Sequence, residues 1–91
     1  IWGVGFHWYS GDHFEALAAT HEAFPDKKLM FTEGCQEGAQ YTGSWATGER
    51  YGHDIIGNLN NWTVGWVDWN MVLDEVGGPN HVGNFCNAPV I

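Results

Sequence analysis

Leu29-Met30-Phe31-Thr32-Glu33-Gly34-Cys35 decides how this chain reads. A short continuous apolar run is what a parallel strand covered on both faces needs, because helical crossovers hide both sides of such a sheet. The run stops on a carboxylate, Glu33. A carboxyl placed there has low dielectric behind it and water in front. Its desolvation is costly unless donors or a chemical task compensate. On this feature alone, a capping or salt-bridged glutamate is as good a reading as a reactive one.

Working outward, Pro25 and Asp26-Lys27-Lys28 separate this strand from a helical pattern. Phe14, Leu17, Ala18, His21 and Phe24 share one face of that helix, and Asp12 with Glu15 has the form of a capping box at its start. Ile1 to Tyr9 is aromatic and β-branched with Gly3 and Gly5 interspersed, which suits a buried strand. Downstream, Gln36 to Gly43 reads as a loop. A second helix is expected from near Ser44, with Trp45, Gly48, Gly52, Ile55, Leu59 and Trp62 on one side, closed by Asn60-Asn61. Thr63 to Asn70 reads as a third strand and Asp74 to Phe85 as a long loop.

Strands alternating with helices imply right-handed crossovers onto a parallel sheet, an α/β arrangement. A small free-standing sandwich and the last three strands of a (β/α)8 TIM barrel, with their helices, both fit that order. The polar groups favour the barrel. His7 and Tyr9, Glu33, and Asp68 with Asn70 all fall at carboxyl ends of expected strands, the face on which such barrels build their sites.

Composition narrows the partners. The chain has 91 residues with 6 Trp, 5 Phe and 3 Tyr, more large aromatics than so short a chain readily buries. It opens inside an aromatic run and closes on Ala88-Pro89-Val90-Ile91, so residues 1–91 are expected to be a segment of a larger fold, the alternative being a compact aromatic-rich domain. Eleven acidic residues against Lys27, Lys28 and Arg50 give a net charge of −8, which argues against nucleic acid and anionic membrane surfaces. A neutral sugar fits, since stacking and hydrogen bonding need no positive field. No apolar run approaches ~20 residues, and no signal peptide or lipidation motif is visible. Cys35 and Cys86 match no zinc spacing and read as two buried free thiols, with pairing as the alternative.

Glycosidic bond cleavage needs two carboxyl groups across the scissile bond. Beside Glu33 the chain offers Glu37, Asp68, Asp74 and Glu75. Glu37 reads as a solvated loop residue, and Asp68 as an acceptor that positions a neighbour or a sugar hydroxyl. Trp8, Tyr9 and Trp69 are candidate platforms for the apolar face of a pyranose, whereas Trp2, Trp45 and Trp62 read as core. No two histidines stand at the helical i, i+4 spacing of a zinc site, so no metal is expected. Gly3-Val4-Gly5 is too little for a dinucleotide loop, and no cofactor is expected.

Four words in register then carry a resemblance: His7-Trp8-Tyr9, Phe31-Thr32-Glu33-Gly34-Cys35, Gly65-Trp66-Val67-Asp68-Trp69-Asn70, and Gly77-Gly78-Pro79-Asn80 followed by Asn84-Phe85. Together they resemble glycoside hydrolase family 30, and within it the glucosylceramidase branch. The resemblance implies strands six to eight of a catalytic barrel that carries an attached β-sandwich domain, with Ala-Pro-Val-Ile starting the connection to it. It implies that Glu33 is the nucleophile of a retaining reaction on a β-glucoside or glucosylceramide-like substrate. It also implies that Tyr9, Trp69, Asn84, Cys35 and His7 lie at the glucose pocket, and that the setting is secreted or lysosomal. Relatives acting on β-1,6-glucan or β-xylosides, and a non-catalytic carbohydrate-binding module, are the alternatives. The family's acid/base glutamate follows an asparagine, and no Asn-Glu pair occurs here. The isolated chain is therefore expected to be inactive, its missing parts being the remainder of its own barrel and the sandwich.

Overall fold

The computed structural model describes residues 1–79 and 82–89. Asn80 of the Gly-Gly-Pro-Asn word, and Val90-Ile91 of the expected connection, lie outside the described residues. The elements run β1 (Gly3–His7), α1 (Phe14–Ala23), β2 (Lys28–Glu33), β3 (Gln36–Glu37), a 3-10 turn (Ala39–Tyr41), α2 (Trp45–Leu59), β4 (Thr63–Trp66) and β5 (Cys86–Asn87). A parallel sheet in the order β1-β2-β4 forms the body, and β3 pairs antiparallel with β5.

β2 is central, and its apolar run Leu29-Met30-Phe31 is paired on both sides. Its register runs Val4↔Leu29 and Phe6↔Phe31 on one side, and Leu29↔Thr63 and Phe31↔Trp66 on the other. Leu29 and Phe31 are buried, at 2% and 0% exposure. Phe31 is caged by aromatic rings: Trp66 stacks on it at 4.6 Å between centroids, while Phe6 and Trp8 meet it edge-on at 5.6 and 5.9 Å. Edge-to-face and offset contacts of this kind add stabilisation beyond area burial. Within residues 1–79 and 82–89 the expected cover is present on one face. Both helices pack on the side of Leu29 and Phe31, and Thr32 on the opposite side is exposed.

α2 begins where expected, with the Ser44 hydroxyl accepting from the Ala46 N–H at 3.3 Å. The face it presses on the sheet differs from the expected one. Trp45 and Leu59 are 80% and 52% exposed, and the buried side chains are Asp54 and Asn58. A buried carboxylate needs donors. Asp54 has two, Trp66 Nε1–H at 2.7 Å and Asn58 Nδ2–H at 2.8 Å. Burial nevertheless pushes its carboxyl above the usual carboxylate range. Trp2 and Trp62 are also exposed rather than core, Trp62 lying against His21 with ring centroids 3.9 Å apart.

The capping box before α1 does not form. The N-cap is His13, without a side-chain capping bond, because Asp12 is drawn across to α2. Both Asp12 oxygens accept from Arg50 at 2.7 Å, and Oδ2 also faces His53 Nδ1 at 2.9 Å. Burial alone would raise Asp12, but the hydrogen bonds from Arg50 and His53 outweigh it and hold the carboxyl below its usual value. The Arg50 guanidinium lies 4.3 Å over the Trp8 ring, so this ion pair also fixes the loop that follows β1.

Gly57 is where α2 meets α1, and a Cβ there would overlap the Phe14 ring. A helix-interior Gly→Ala change ordinarily gains ~1 kcal/mol. Here, in the full-length protein, Gly57→Ala is expected to lose ~1–3 kcal/mol by overpacking. Gly52→Ala, with nothing within 4 Å of the new Cβ, is expected to be neutral or stabilising. Denaturant midpoints of the two variants provide the check.

Candidate active site

The carboxyl ends of the three parallel strands converge through a local irregularity. Between Phe6 and His7 the β1–β2 register shifts, so His7 pairs with Glu33 instead of Thr32. Such shifts re-aim side chains at the rim of a sheet. The result places His7 Nδ1 3.6 Å from Glu33 Oε2, and Tyr9 O–H donates to the same oxygen at 3.0 Å. β4 is shorter than the expected third strand, but its pairing to β2 continues past Trp66. Val67 N–H donates to Phe31 O at 3.0 Å and Trp69 N–H to Gly34 O at 3.1 Å. Gly34 is buried, and a Cβ on it would press on the Phe31 and Trp8 rings, which explains a glycine directly after the carboxylate.

Asp68 has the role of an acceptor. It takes hydrogen bonds from Tyr51 O–H at 3.2 Å and from Trp69 N–H at 2.9 Å, and burial pushes its carboxyl up. The Trp69 backbone is thereby held from two sides. Asp74 closes its own turn, accepting from the N–H groups of Val76 and Gly78 at 3.1 and 2.7 Å. Trp8, a candidate sugar platform in the sequence, is instead 4% exposed and packed among Phe31, Tyr51 and Trp66.

The free-thiol reading of the cysteines is overturned. Cys35 and Cys86 form a disulfide across 5.9 Å between Cα atoms and 51 residues of chain. The β3–β5 pairing, with Gln36↔Asn87 and Glu37↔Cys86, brings the two together. Asn87 reinforces it by donating to the carbonyls of Gln36 and Gly38, each at 2.9 Å. Leu73, Trp69 and Ala88 pack around the disulfide.

These elements enclose a cavity of about 370 Å³ lined by Tyr9, Glu33, Cys35, Glu37, Trp69, Val82, Asn84 and Cys86. Pockets for small ligands start near ~300 Å³. Of the residues singled out in the sequence, Glu33, Tyr9, Cys35, Trp69 and Asn84 line it, while His7 stands beside Glu33 outside the lining. Glu37 is exposed, as read, and it also faces this cavity, accepting from Asn84 Nδ2–H at 2.5 Å. The signal was present in the paired neighbours of the cysteines, Gln36-Glu37 and Asn87, which only become partners once the disulfide is known. Among the described residues, no group of three or more His, Cys, Asp or Glu gathers as a metal site would require.

The whole chain, residues 1–91, matches the glycosyl hydrolase family 30 TIM-barrel domain. The chain belongs to that family. It is 39% identical to the mouse lysosomal acid glucosylceramidase, over all of this chain and 19% of that protein. The solved structure of SrfJ from Salmonella typhimurium superposes with a TM-score of 0.87 at 47% identity, over 98% of this chain and 20% of that one. The endo-β1,6-glucanase BT3312 superposes at 0.79 with 32% identity, over all of this chain and 21% of that one. This family 30 chain thus spans about a fifth of the length of these relatives, and its three parallel strands are part of a TIM barrel.

Tyr9 is pushed above its ordinary value first by burial, then by its hydrogen bond to Glu33 and the charge of that carboxylate, with Glu37 adding to it. It is therefore a neutral donor at physiological pH. In the full-length protein, Glu33→Gln is expected to bring Tyr9 down toward its ordinary value without reaching it, because burial and Glu37 remain. NMR titration of isotope-labelled tyrosine reads this directly, and an unchanged midpoint would contradict the assignment.

Proposed function

We propose that residues 1–91 are the carboxy-terminal segment of the catalytic barrel of a retaining β-glycosidase, contributing strands six to eight and the nucleophile, Glu33. The observation that carries this reading is the Glu33 carboxyl at the open end of the central strand, partly exposed, facing a sugar-sized cavity, with Tyr9 donating to one of its oxygens. Tyr9 engages Oε2, which leaves Oε1 to attack the anomeric carbon. As the C1–Oε1 bond forms, the C1–O bond to the leaving group breaks. The departing oxygen takes a proton from a carboxylic acid on a strand outside this chain. Water, deprotonated by that same carboxylate, then opens the glycosyl ester and frees Glu33. A neutral Tyr9 keeps donating throughout the cycle and holds the carboxyl in register.

Trp69 offers an apolar ring to the C–H face of the sugar, and Asn84 an amide to its hydroxyls. Cys35, through its disulfide, forms part of the wall, and His7 supports Glu33 from outside the cavity. Two carboxyls supply both the nucleophile and the proton transfer, so the reaction asks for no metal or cofactor. The remainder of the barrel and the β-sandwich domain complete the site. Val4 on β1 and Val64 on β4, 46% and 54% exposed on the outer strands, supply apolar surface for neighbouring elements to cover.

A β-glucoside of the glucosylceramide type is the substrate we favour, on the likeness to the mouse glucosylceramidase. The endo-β1,6-glucanase neighbour supports β-1,6-glucan as the second reading. The test uses the full-length enzyme. Proton NMR of the first-formed sugar is expected to show the β-anomer, and Glu33→Gln to lower kcat by about 10⁴-fold or more. An α-anomer, or an active Glu33→Gln variant, would refute the mechanism. Turnover of glucosylceramide in detergent micelles against a β-1,6-linked glucan separates the two substrates. No turnover of any β-glycoside would leave a binding module.

A further inference from the structure

We propose that Glu37 is a positioning residue, whose carboxylate holds the Asn84 amide in place at the cavity before any sugar arrives. The inference rests on the glycosidase reading above and deepens it. Glu37 and Asn84 come from segments 47 residues apart, yet Asn84 Nδ2–H donates to Glu37 Oε1 at 2.5 Å, and both side chains line the cavity that holds Glu33.

The main chain around this pair is fixed by other means. Gly38 N–H donates to Phe85 O at 2.9 Å, the disulfide ties Cys86 to Cys35, and Asn87 is bonded to the loop on the far side. These ties set where the Asn84 backbone runs. The Asn84 side chain has two torsions and presents a nitrogen at one end and an oxygen at the other; its Nδ2–H also reaches Cys86 Sγ at 3.5 Å, a weaker acceptor than a carboxylate. A carboxylate accepts only from the nitrogen, so Glu37 fixes both the direction and the identity of the amide's ends. A charge-assisted bond is about twice as strong as a neutral one. Ordering the amide beforehand removes that entropic cost from sugar binding. Glu37 also registers at the reacting end of the cavity, since its charge contributes to the upward shift of Tyr9.

Because the amide meets the sugar in the ground state and the transition state alike, its loss belongs in KM rather than kcat. In the full-length enzyme acting on an aryl glucoside, Glu37→Ala is expected to raise KM about tenfold with kcat changed less than about threefold. Asn84→Ala should do the same, and the double variant no more than either alone. Glu37→Gln keeps an acceptor within reach but loses the charge and can also donate, so its KM is expected to fall between those of the parent and Glu37→Ala. Should the alanine variant not fold, Glu37→Ser, too short to reach Asn84, takes its place. An unchanged KM in Glu37→Ala, strictly additive effects with Asn84, or a Glu37→Gln variant as impaired as Glu37→Ala would overturn the proposal. Each outcome is read against an active parent enzyme, whereas a parent inactive on every β-glycoside would sink the glycosidase reading itself.

Discussion

Phe31 has no exposed surface, and the geometry of the whole carboxyl end of the sheet depends on it. Its ring is held by Phe6, Trp8 and Trp66, one from each flanking strand and one from the segment that leads to Tyr9. Its carbonyl accepts from Val67, extending the β4 pairing toward Trp69. Two residues on, Glu33 leaves the cage and meets solvent. Interiors packed this densely do not deform gradually. A shift of the Phe31 ring would therefore displace the carboxyl, Trp8 and the Trp69 backbone together. That coupling is how a sheet of three short strands aims a polar group.

Outside the cage the ordering is polar and redundant. The segment after β1 is fixed by the Asp12–Arg50 pair against Trp8, the segment after β4 by the Tyr51–Asp68 hydrogen bond, and the last segment by a disulfide, a two-residue ladder and Asn87. Each tie crosses between elements distant in sequence, so each closes a loop whose entropy would otherwise oppose the site. The disulfide alone, spanning 51 residues, is of the kind that contributes ~2–4 kcal/mol. Burial near these ties raises Asp68 and Tyr9.

The strand-helix alternation, the start of α2 at Ser44 and the clustering of polar residues at strand ends were legible, because they depend on local pattern. What was not legible depends on partners far away in the chain. Asp12 has a good capping sequence, but Arg50, 38 residues on, offers a charged nitrogen that donates to both carboxylate oxygens, and wins. Trp8 looked like a sugar platform because nothing local says that Tyr51 and Trp66 cover it. The inner face of α2 was expected through Trp45, Ile55 and Leu59, whereas Asp54 and Asn58 are buried because Trp66 Nε1–H and Asn58 Nδ2–H both donate to the Asp54 carboxylate. The Cys35–Cys86 pair and the Glu37–Asn84 contact were missed together, since Glu37 meets Asn84 where β3 pairs with β5.

The central claim is that Glu33 forms a covalent bond to the sugar. The most direct measurement is peptide mapping by mass spectrometry of the full-length enzyme after treatment with a 2-deoxy-2-fluoro-glucoside inactivator, whose slow turnover traps the ester. The account predicts one added fluoro-glucosyl group on the peptide containing Phe31-Thr32-Glu33-Gly34, absent in Glu33→Gln. A label on any other carboxyl, or a fully inactivated enzyme with Glu33 unmodified, would contradict it.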